Sequence, residues 1–183
     1  MRVRLPHAPY IANKIGIDLF KSNLVEMTKG LDSVKKIAEE ILIQDIKNEM
    51  KLEEKVREIL EKNEEDIEFY RADYKQLFWL AKKKLAPEFG IILSRDDRYN
   101  HISHEILNTL LEKGLISFSG SENRIKNIIY NAIELYLKSF EELEVVVIEK
   151  IENYKRPLIP GTEEYDIVFQ KLYEEELKKR GLL

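Results

Sequence analysis

The sequence contains no cysteine, and it has only seven glycines and five prolines among its 183 residues. The absence of cysteine excludes disulfides, thiolate metal sites and cysteine nucleophiles. The few glycines leave little material for loops that cradle phosphate groups, and no nucleophile elbow, P-loop or dinucleotide fingerprint is present. The sequence therefore contains no candidate catalytic residue, implies no cofactor and favours a protein that is not an enzyme.

Long apolar runs and a strong charge of one sign are also missing. The longest apolar runs, such as residues 145–148, are far shorter than the roughly eighteen residues that span a bilayer. The first residues include Pro6 and Pro9 instead of the apolar stretch typical of a signal peptide. The formal net charge of −4 lacks the basic excess typical of nucleic-acid-binding proteins. We expect a soluble cytoplasmic protein with no membrane partner.

What the sequence does contain is a repeat. Shifting the chain against itself by 91 positions aligns sixteen identical pairs without a gap, from Arg4/Arg95 to Gly90/Gly181, where composition alone would give roughly six. Internal repeats of this kind indicate duplicated helical or strand modules. We therefore predict two tandem copies, a diverged first repeat at residues 1–90 and a second repeat at residues 91–183.

The second copy defines the predicted module, because its helical periodicity is the clearer of the two. In chain order it comprises a helix over 97–113 that ends before Gly114, an extended turn over 115–118, a helix-capping Ser121, a long helix over 122–155, a loop over 156–161 and a last helix that begins at Thr162. The long helix has apolar residues every three or four positions, close to a heptad seam, and would measure about 50 Å.

The first copy follows the same plan with helices near 9–21, 33–63 and 70–85, and residues 65–70 replace the Pro–Gly loop. The predicted fold is all-α: a tandem repeat of a short helix, a long helix and a terminal helix, with the long helices packed as a bundle or in a coiled-coil-like manner. Residues 145–148 are apolar around nearly the whole helix and need cover on several sides. That need predicts a homo-oligomer or a protein partner.

Three segments resemble a bacterial protein family, the domain of unknown function 507. They are the run from Tyr99 to Ile106 (Tyr-Asn-His-Ile-Ser-His-Glu-Ile), the Leu-Leu-Glu-Lys-Gly-Leu-Ile run from Leu110, and the tail from Ile159 (Ile-Pro-Gly-Thr-Glu-Glu-Tyr-Asp) through Tyr173 to Gly181. The resemblance covers residues 93–183 well, and the first copy departs from it at both ends. It implies two tandem copies with the second the closer match, and a bacterial source, but no particular activity.

A histidine pair is the first candidate site. His101 and His104 are three positions apart and share one face of a helix, where two neutral imidazoles can hold a transition metal. Asp97, four positions before His101, is the best-placed third ligand. Zinc normally requires three or four ligands, so a metal-dependent site at these residues is one alternative. The other alternative is that one histidine packs at the helix–loop junction while the other is solvated.

A lysine cluster beside an aromatic side chain is the second candidate. Lys82, Lys83 and Lys84 follow Trp79, and basic side chains next to aromatic rings can contact phosphates and stack bases. The same lysines also suit the C-terminal end of a helix dipole. Trp79 matches Gln170 in the second copy, so we expect Trp79 to be exposed. Nucleic-acid binding through these residues is an alternative function.

The hypothesis that the sequence favours is a non-enzymatic helical interaction or scaffold protein. Extended apolar stripes and the lack of a catalytic set both point to it. Its partner would be a second copy of the chain or another protein.

Overall fold

A computed structural model of the protein describes residues 3–154 and 156–180. The described helices and strands are, in chain order, α1 (Ala8–Lys21), β1 (Val25–Met27), α2 (Leu31–Glu61), α3 (Glu64–Phe69), α4 (Tyr74–Leu85), α5 (Arg95–Glu112), β2 (Ile116–Phe118), α6 (Glu122–Glu152) and α7 (Glu163–Lys179), with 3-10 turns at Leu5–His7 and Ala86–Phe89. The predicted all-α fold class is confirmed.

The two long helices α2 and α6 each span 31 residues, which gives a length of about 46 Å. Their buried residues recur every three or four positions, as in the series Ile125, Ile129, Ala132, Tyr136 and Phe140. The shorter helix α1 packs against both of them, and so does α5. The long helices therefore belong to one bundle whose layers are tied together by α1 and α5, while α4 lies on α2 and α7 lies on α6.

One hydrophobic core serves both halves of the chain. Its buried members include Ile11, Ile15 and Leu19 from α1 together with Ile129 and Leu143 from α6. A smaller satellite core joins the end of α2 to α4 and the turn that follows it. Residues 1–90 and 91–183 thus share their main core.

The two short strands pair in antiparallel fashion. Val25 lies opposite Phe118, Glu26 opposite Ser117, and Met27 opposite Ile116. The extended stretch over 116–118 was predicted, but the pairing with 25–27 was not. The strands begin 91 residues apart, as do the two long helices.

Several local predictions need correction. Residues 64–69 form the short helix α3 instead of a loop, and α4 begins at Tyr74 instead of near residue 70. Ser121 stands at the N-cap of α6 but makes no side-chain cap; its backbone carbonyl accepts from Arg124 N. The predicted helix end at Lys155 and the repeat position Gly181 lie outside the described residues.

Other predicted ends agree with the structure. Thr162 caps α7, since its hydroxyl accepts a hydrogen bond from Tyr165 N at 3.3 Å. Gly114 follows α5 in the left-handed conformation at φ 61°, which a glycine adopts without strain. Among the described helices, none is both long and apolar enough to cross a bilayer.

Candidate functional sites: a charged cluster and an aromatic pocket

A cluster of buried charges joins three helices. Lys82 on α4 donates to Oε1 of Glu49 and to Oε1 of Glu53 on α2, both at 2.8 Å. Arg98 on α5 donates to Asp45 Oδ2 at 2.6 Å and to Glu49 Oε2 at 2.7 Å. Lys82 and Glu49 are each only 4% exposed. We call these five residues the charged cluster.

The electrostatics of the charged cluster are mutually satisfied. Burial by itself would raise the pKa of the Glu49 carboxyl, but hydrogen bonds from Lys82 and Arg98, and their positive charges, outweigh burial and lower that pKa below its ordinary value. The neighbouring carboxylates likewise raise the pKa of Arg98 against the effect of its burial. Each charge is held by an opposite charge, so the cluster acts as a clamp between α2, α4 and α5.

A second arginine of α5 extends the clamp to the other long helix. Arg95 donates to Glu141 at 2.8 Å and to Glu134 at 3.5 Å, both on α6. Together, Arg95 and Arg98 tie α5 to α6 and to α2. Beside the charged cluster lies a cavity of roughly 350 Å³ whose wall includes Trp79 and Leu93.

The four residues predicted to bind nucleic acid do not all lie on the surface. Trp79 is 62% exposed, as expected from the sequence. Lys83 and Lys84 are also exposed. Lys82 instead points inward to two carboxylates, with its ammonium 5.3 Å from the centroid of the Trp79 ring. Its burial and its two ion pairs leave Lys82 unsuited to contact a phosphate.

The predicted metal set lies on the outer face of α5. His101, His104 and Asp97 are all exposed, and the two histidines line a shallow depression with Glu105 and Glu112. Within residues 3–154 and 156–180, no group of three or more histidine, aspartate or glutamate side chains is arranged to hold a metal ion. The geometry of the described chain therefore adds nothing in favour of a metal at the histidine pair.

Sequence reasoning missed a pocket lined in part by aromatic rings, where the start of the chain meets α6 and α7. His7 lies 4.3 Å from Phe140, and Tyr136 lies 4.5 Å from Phe140, between ring centroids. Tyr173 on α7 lies 6.1 Å from Phe140. These four residues and Tyr10 line a cavity of roughly 450 Å³. We call this cavity the aromatic pocket.

Burial changes the polar groups of the aromatic pocket. It lowers the pKa of His7 from 6.5 to about 4, with a smaller contribution from the charge of Arg4, so the imidazole is neutral at pH 7. The Nδ1 atom of His7 accepts from Arg4 N at 3.2 Å, which leaves the proton on Nε2. Burial also raises the pKa of Tyr136 and of Tyr173. Both phenol hydroxyls are buried, and neither has a hydrogen-bond partner among the described residues.

The aromatic pocket and the charged cluster occupy positions that are 91 residues apart. The pairs are Asp45 and Tyr136, Glu49 and Phe140, Lys82 and Tyr173, and His7 and Arg98. The signal that could have revealed both sites was this contrast, because each pair sets a charged residue of one site against a residue with an aromatic ring in the other.

The chain belongs to the family described as "Protein of unknown function (DUF507)", whose model matches residues 1–182. The match is a single copy over the whole chain, whereas the sequence motifs led us to expect two tandem copies of the family's module. The family's unit therefore includes both the charged cluster and the aromatic pocket. A search of curated proteins finds no match.

Proposed function

We propose that this DUF507 protein is a non-enzymatic interaction protein that self-associates through residues 69–80, which run from the end of α3 into α4. One observation carries the proposal: five large apolar side chains of this segment are exposed. They are Phe69, Tyr70, Tyr74, Trp79 and Leu80, with Phe69 79% exposed. We call them the apolar segment.

Such a concentration is unusual for a surface that faces only water. Contiguous exposed apolar groups commonly mark interaction sites, and tryptophan and tyrosine are the residues that most often dominate binding energy. The rings of Phe69 and Tyr70 already meet edge to face at 5.1 Å. The segment is supported from beneath by the satellite core, in which Leu77 and Phe78 pack on the end of α2.

Charge favours a second copy of the chain as the occupant. The helix before the apolar segment is acidic, with Glu64, Glu65, Asp66 and Glu68, and the helix end after it carries the exposed Lys83 and Lys84. A twofold contact places the same surface on both partners. The acidic α3 of one copy can then face the basic end of α4 of the other, with the apolar side chains between them.

Sedimentation velocity over a concentration series tests the proposal. We expect a reversible dimer with a Kd on the order of 100 µM or tighter. The double variant Phe69→Ser/Trp79→Ser should be monomeric, and higher salt should weaken the wild-type dimer. The matched control Leu135→Ser/Ile167→Ser removes two exposed apolar side chains, one on α6 and one on α7, and should still dimerise. A wild-type protein that stays monomeric at about 1 mM, or a dimer indifferent to the first variant, contradicts the proposal.

Nucleic-acid binding is the less supported alternative at the same surface. It would use Lys83, Lys84 and Trp79, since Lys82 is held by Glu49 and Glu53. Its distinguishing result is affinity for a single-stranded oligonucleotide that falls steeply with salt and disappears in Lys83→Gln/Lys84→Gln. A metal at His101 and His104 would instead appear as a bound ion lost in the double alanine variant.

We also propose that the two halves of the chain descend from one duplicated module. The strands β1 and β2, and the helices α2 and α6, begin and end 91 residues apart. The strand pairing is symmetric about Glu26 and Ser117, which are themselves 91 positions apart. On this proposal the single family copy contains both modules. The proposal would be contradicted by an alignment of many family members in which residues of the first half no longer match residues of the second half at one constant spacing. A bacterial source and a cytoplasmic location stay predictions.

A further inference from the structure

We propose that the aromatic pocket binds a small planar organic acid, with its ring among the aromatic side chains and its carboxylate at the mouth of the pocket. The inference is independent of self-association, because the aromatic pocket is formed by the start of the chain, α6 and α7, and the apolar segment belongs to α3 and α4.

The size and the lining of the pocket favour a flat ring. A cavity of roughly 450 Å³ falls in the range of ordinary small-ligand sites, which are mostly apolar with a few polar groups. The ring centroids of His7, Tyr136 and Tyr173 all lie within 6.5 Å of the ring centroid of Phe140, and the rings of His7 and Tyr136 lie 6.5 Å from each other. At such distances these rings are in contact with one another, so a planar ligand would extend this aromatic group from the cavity side in the stacked or tilted geometry that aromatic pairs prefer.

The two tyrosine hydroxyls give the pocket unused hydrogen-bonding capacity. Tyr136 is 3% exposed and Tyr173 is 9% exposed, and within the described chain neither hydroxyl has a partner. Buried polar groups without a partner are rare in folded proteins, because each has lost its bonds to water. Both hydroxyls have almost no accessible surface, so a ligand hydroxyl would supply the missing partner once small rotations of the two tyrosine side chains open them to the pocket.

Charge at the mouth of the pocket selects an anion. Arg4 and Lys178 are exposed lining residues, and neither forms an ion pair with another described residue. The one carboxylate in the lining, Glu174, accepts from the side chain of Gln170 at 3.0 Å. The Nε2–H of the neutral His7 adds a further donor. These donors match a carboxylate and give a neutral ligand no comparable contact.

The charged cluster provides the internal contrast. Its cavity has both aromatic and charged walls, but Lys82 and Arg98 are already bonded to carboxylates. An anion there would have to break those ion pairs. The aromatic pocket requires no such exchange, and this difference decides which of the two cavities we assign to a ligand.

Calorimetry and ligand-observed NMR with 4-hydroxybenzoate and benzoate as probes test the proposal. We expect saturable binding with one molecule per chain. Benzamide, which is planar but neutral, and cyclohexanecarboxylate, which is charged but not planar, should each bind several-fold more weakly than benzoate. Variants Tyr136→Phe and Tyr173→Phe should each weaken 4-hydroxybenzoate about tenfold, and Arg4→Ala/Lys178→Ala should remove most of the salt dependence of benzoate binding.

The control variant is Tyr99→Phe, which removes a buried hydroxyl outside the aromatic pocket and should leave the affinity unchanged. Phe69→Ser/Trp79→Ser should also bind the probes normally, whatever its oligomeric state. The proposal fails if neither probe binds saturably at concentrations up to about 10 mM, where even inefficient ligands of ten heavy atoms bind. It fails equally if the tyrosine variants bind as well as the Tyr99 control does, since the hydroxyls would then have no part in recognition.

Discussion

The charged cluster and the aromatic pocket are built from residues that lie 91 positions apart in the chain, yet they bury opposite chemistries. In the first, Lys82 and Arg98 hold Glu49 between them. In the second, Phe140 stands in place of Glu49 and is surrounded by other rings. The helices α2 and α6, which carry Glu49 and Phe140, each have 31 residues, so the length of the helix does not dictate the polarity of the residues that it buries.

The buried charges of the charged cluster and the buried rings of the aromatic pocket stabilise the fold by different means. Aromatic burial is favourable in itself, at about 25 cal/mol per Å² of apolar surface removed from water. A buried ion pair must first overcome the desolvation of both charges, and its net contribution to stability is small or negative. The same pair makes its members mutually dependent, because removal of one leaves the other buried and unpaired. The comparison teaches that the charged cluster is the more fragile site and the aromatic pocket the more adaptable one.

The largest expected effect comes from breaking the clamp at Arg98. The variant Arg98→Met removes the guanidinium that Asp45 contacts at 2.6 Å and deprives Glu49 of one of the two cations that it contacts among the described residues. We expect the free energy of unfolding to fall by about 3–5 kcal/mol, measured by urea denaturation. The exposed Arg124 provides a matched control, and Arg124→Met should change stability by less than about 0.5 kcal/mol. A loss below about 1 kcal/mol for Arg98→Met would show that the cluster is not a clamp.

A smaller effect should appear as coupling within the cluster. Lys82→Met removes one of the cations that hold Glu49, and Glu49→Met removes one of the two carboxylates that Lys82 contacts among the described residues. The double variant removes both members of that pair and brings the cluster closer to the apolar composition of the aromatic pocket. We expect the double variant to be about 1–3 kcal/mol more stable than the sum of the single losses predicts. Urea denaturation of all four proteins measures the coupling. If the two single losses simply add, Lys82 and Glu49 contribute to stability independently, which would contradict the ion pair between them at 2.8 Å.

The pH dependence of stability separates the two sites. The pKa of His7 is about 4 in the folded protein against an ordinary 6.5, so between those values the unfolded chain takes up a proton that the folded chain does not. His7 therefore causes a loss of stability as pH falls from about 6.5 to about 4. The pKa of Glu49 is lowered from 4.5, so the stability it contributes is intact above that value and is lost as pH falls through its folded pKa.

Urea midpoints measured from pH 7.5 to pH 3 test whether the contribution of His7 is lost at higher pH than that of Glu49. We expect His7→Phe to remove most of the slope between pH 6.5 and pH 4.5 and to leave the steeper loss at lower pH. The exposed His101 lies outside the aromatic pocket and serves as the control position. His101→Gln should keep the wild-type slope. An unchanged slope in His7→Phe would mean that the imidazole is solvated, and that the aromatic pocket is more open than its rings indicate.

The elements of the fold that could be predicted are those with a long local signal. The helix α6 follows from apolar residues spaced three or four apart over thirty positions, and α7 follows from Thr162 and the loop before it. The short helix α3 has no buried residue, so no apolar period marks it. The pairing of β1 with β2 joins segments 91 residues apart, and three-residue strands carry too little pattern to find one another from sequence.

The candidate sites were predictable only in part, for a similar reason. Trp79 was expected to be exposed because its counterpart is polar, and it is. Lys82 was grouped with Lys83 and Lys84 because they are consecutive, although successive helical residues point about 100° apart and Lys82 alone turns inward. Glu49 did carry a signal, since it interrupts the apolar stripe that contains Ile46 and Leu52. Its partners Lys82 and Arg98 lie on other helices, and only tertiary structure brings them to it.

The smallest expected effect concerns three tyrosine hydroxyls and sharpens the comparison most. Tyr99, beside the charged cluster, has the Val3 backbone as a polar neighbour that opposes the effect of burial on the pKa of its hydroxyl, so Tyr99→Phe should cost up to about 1 kcal/mol. The hydroxyls of Tyr136 and Tyr173 have no partner among the described residues, so their phenylalanine variants should be unchanged or up to about 1 kcal/mol more stable. Urea denaturation without ligand measures all three. A clear loss in either pocket variant would reveal a hydrogen bond formed in solution and would reduce the capacity left for a ligand. A gain in both would show that the aromatic pocket keeps these hydroxyls at the expense of stability, which is the pattern of a binding site.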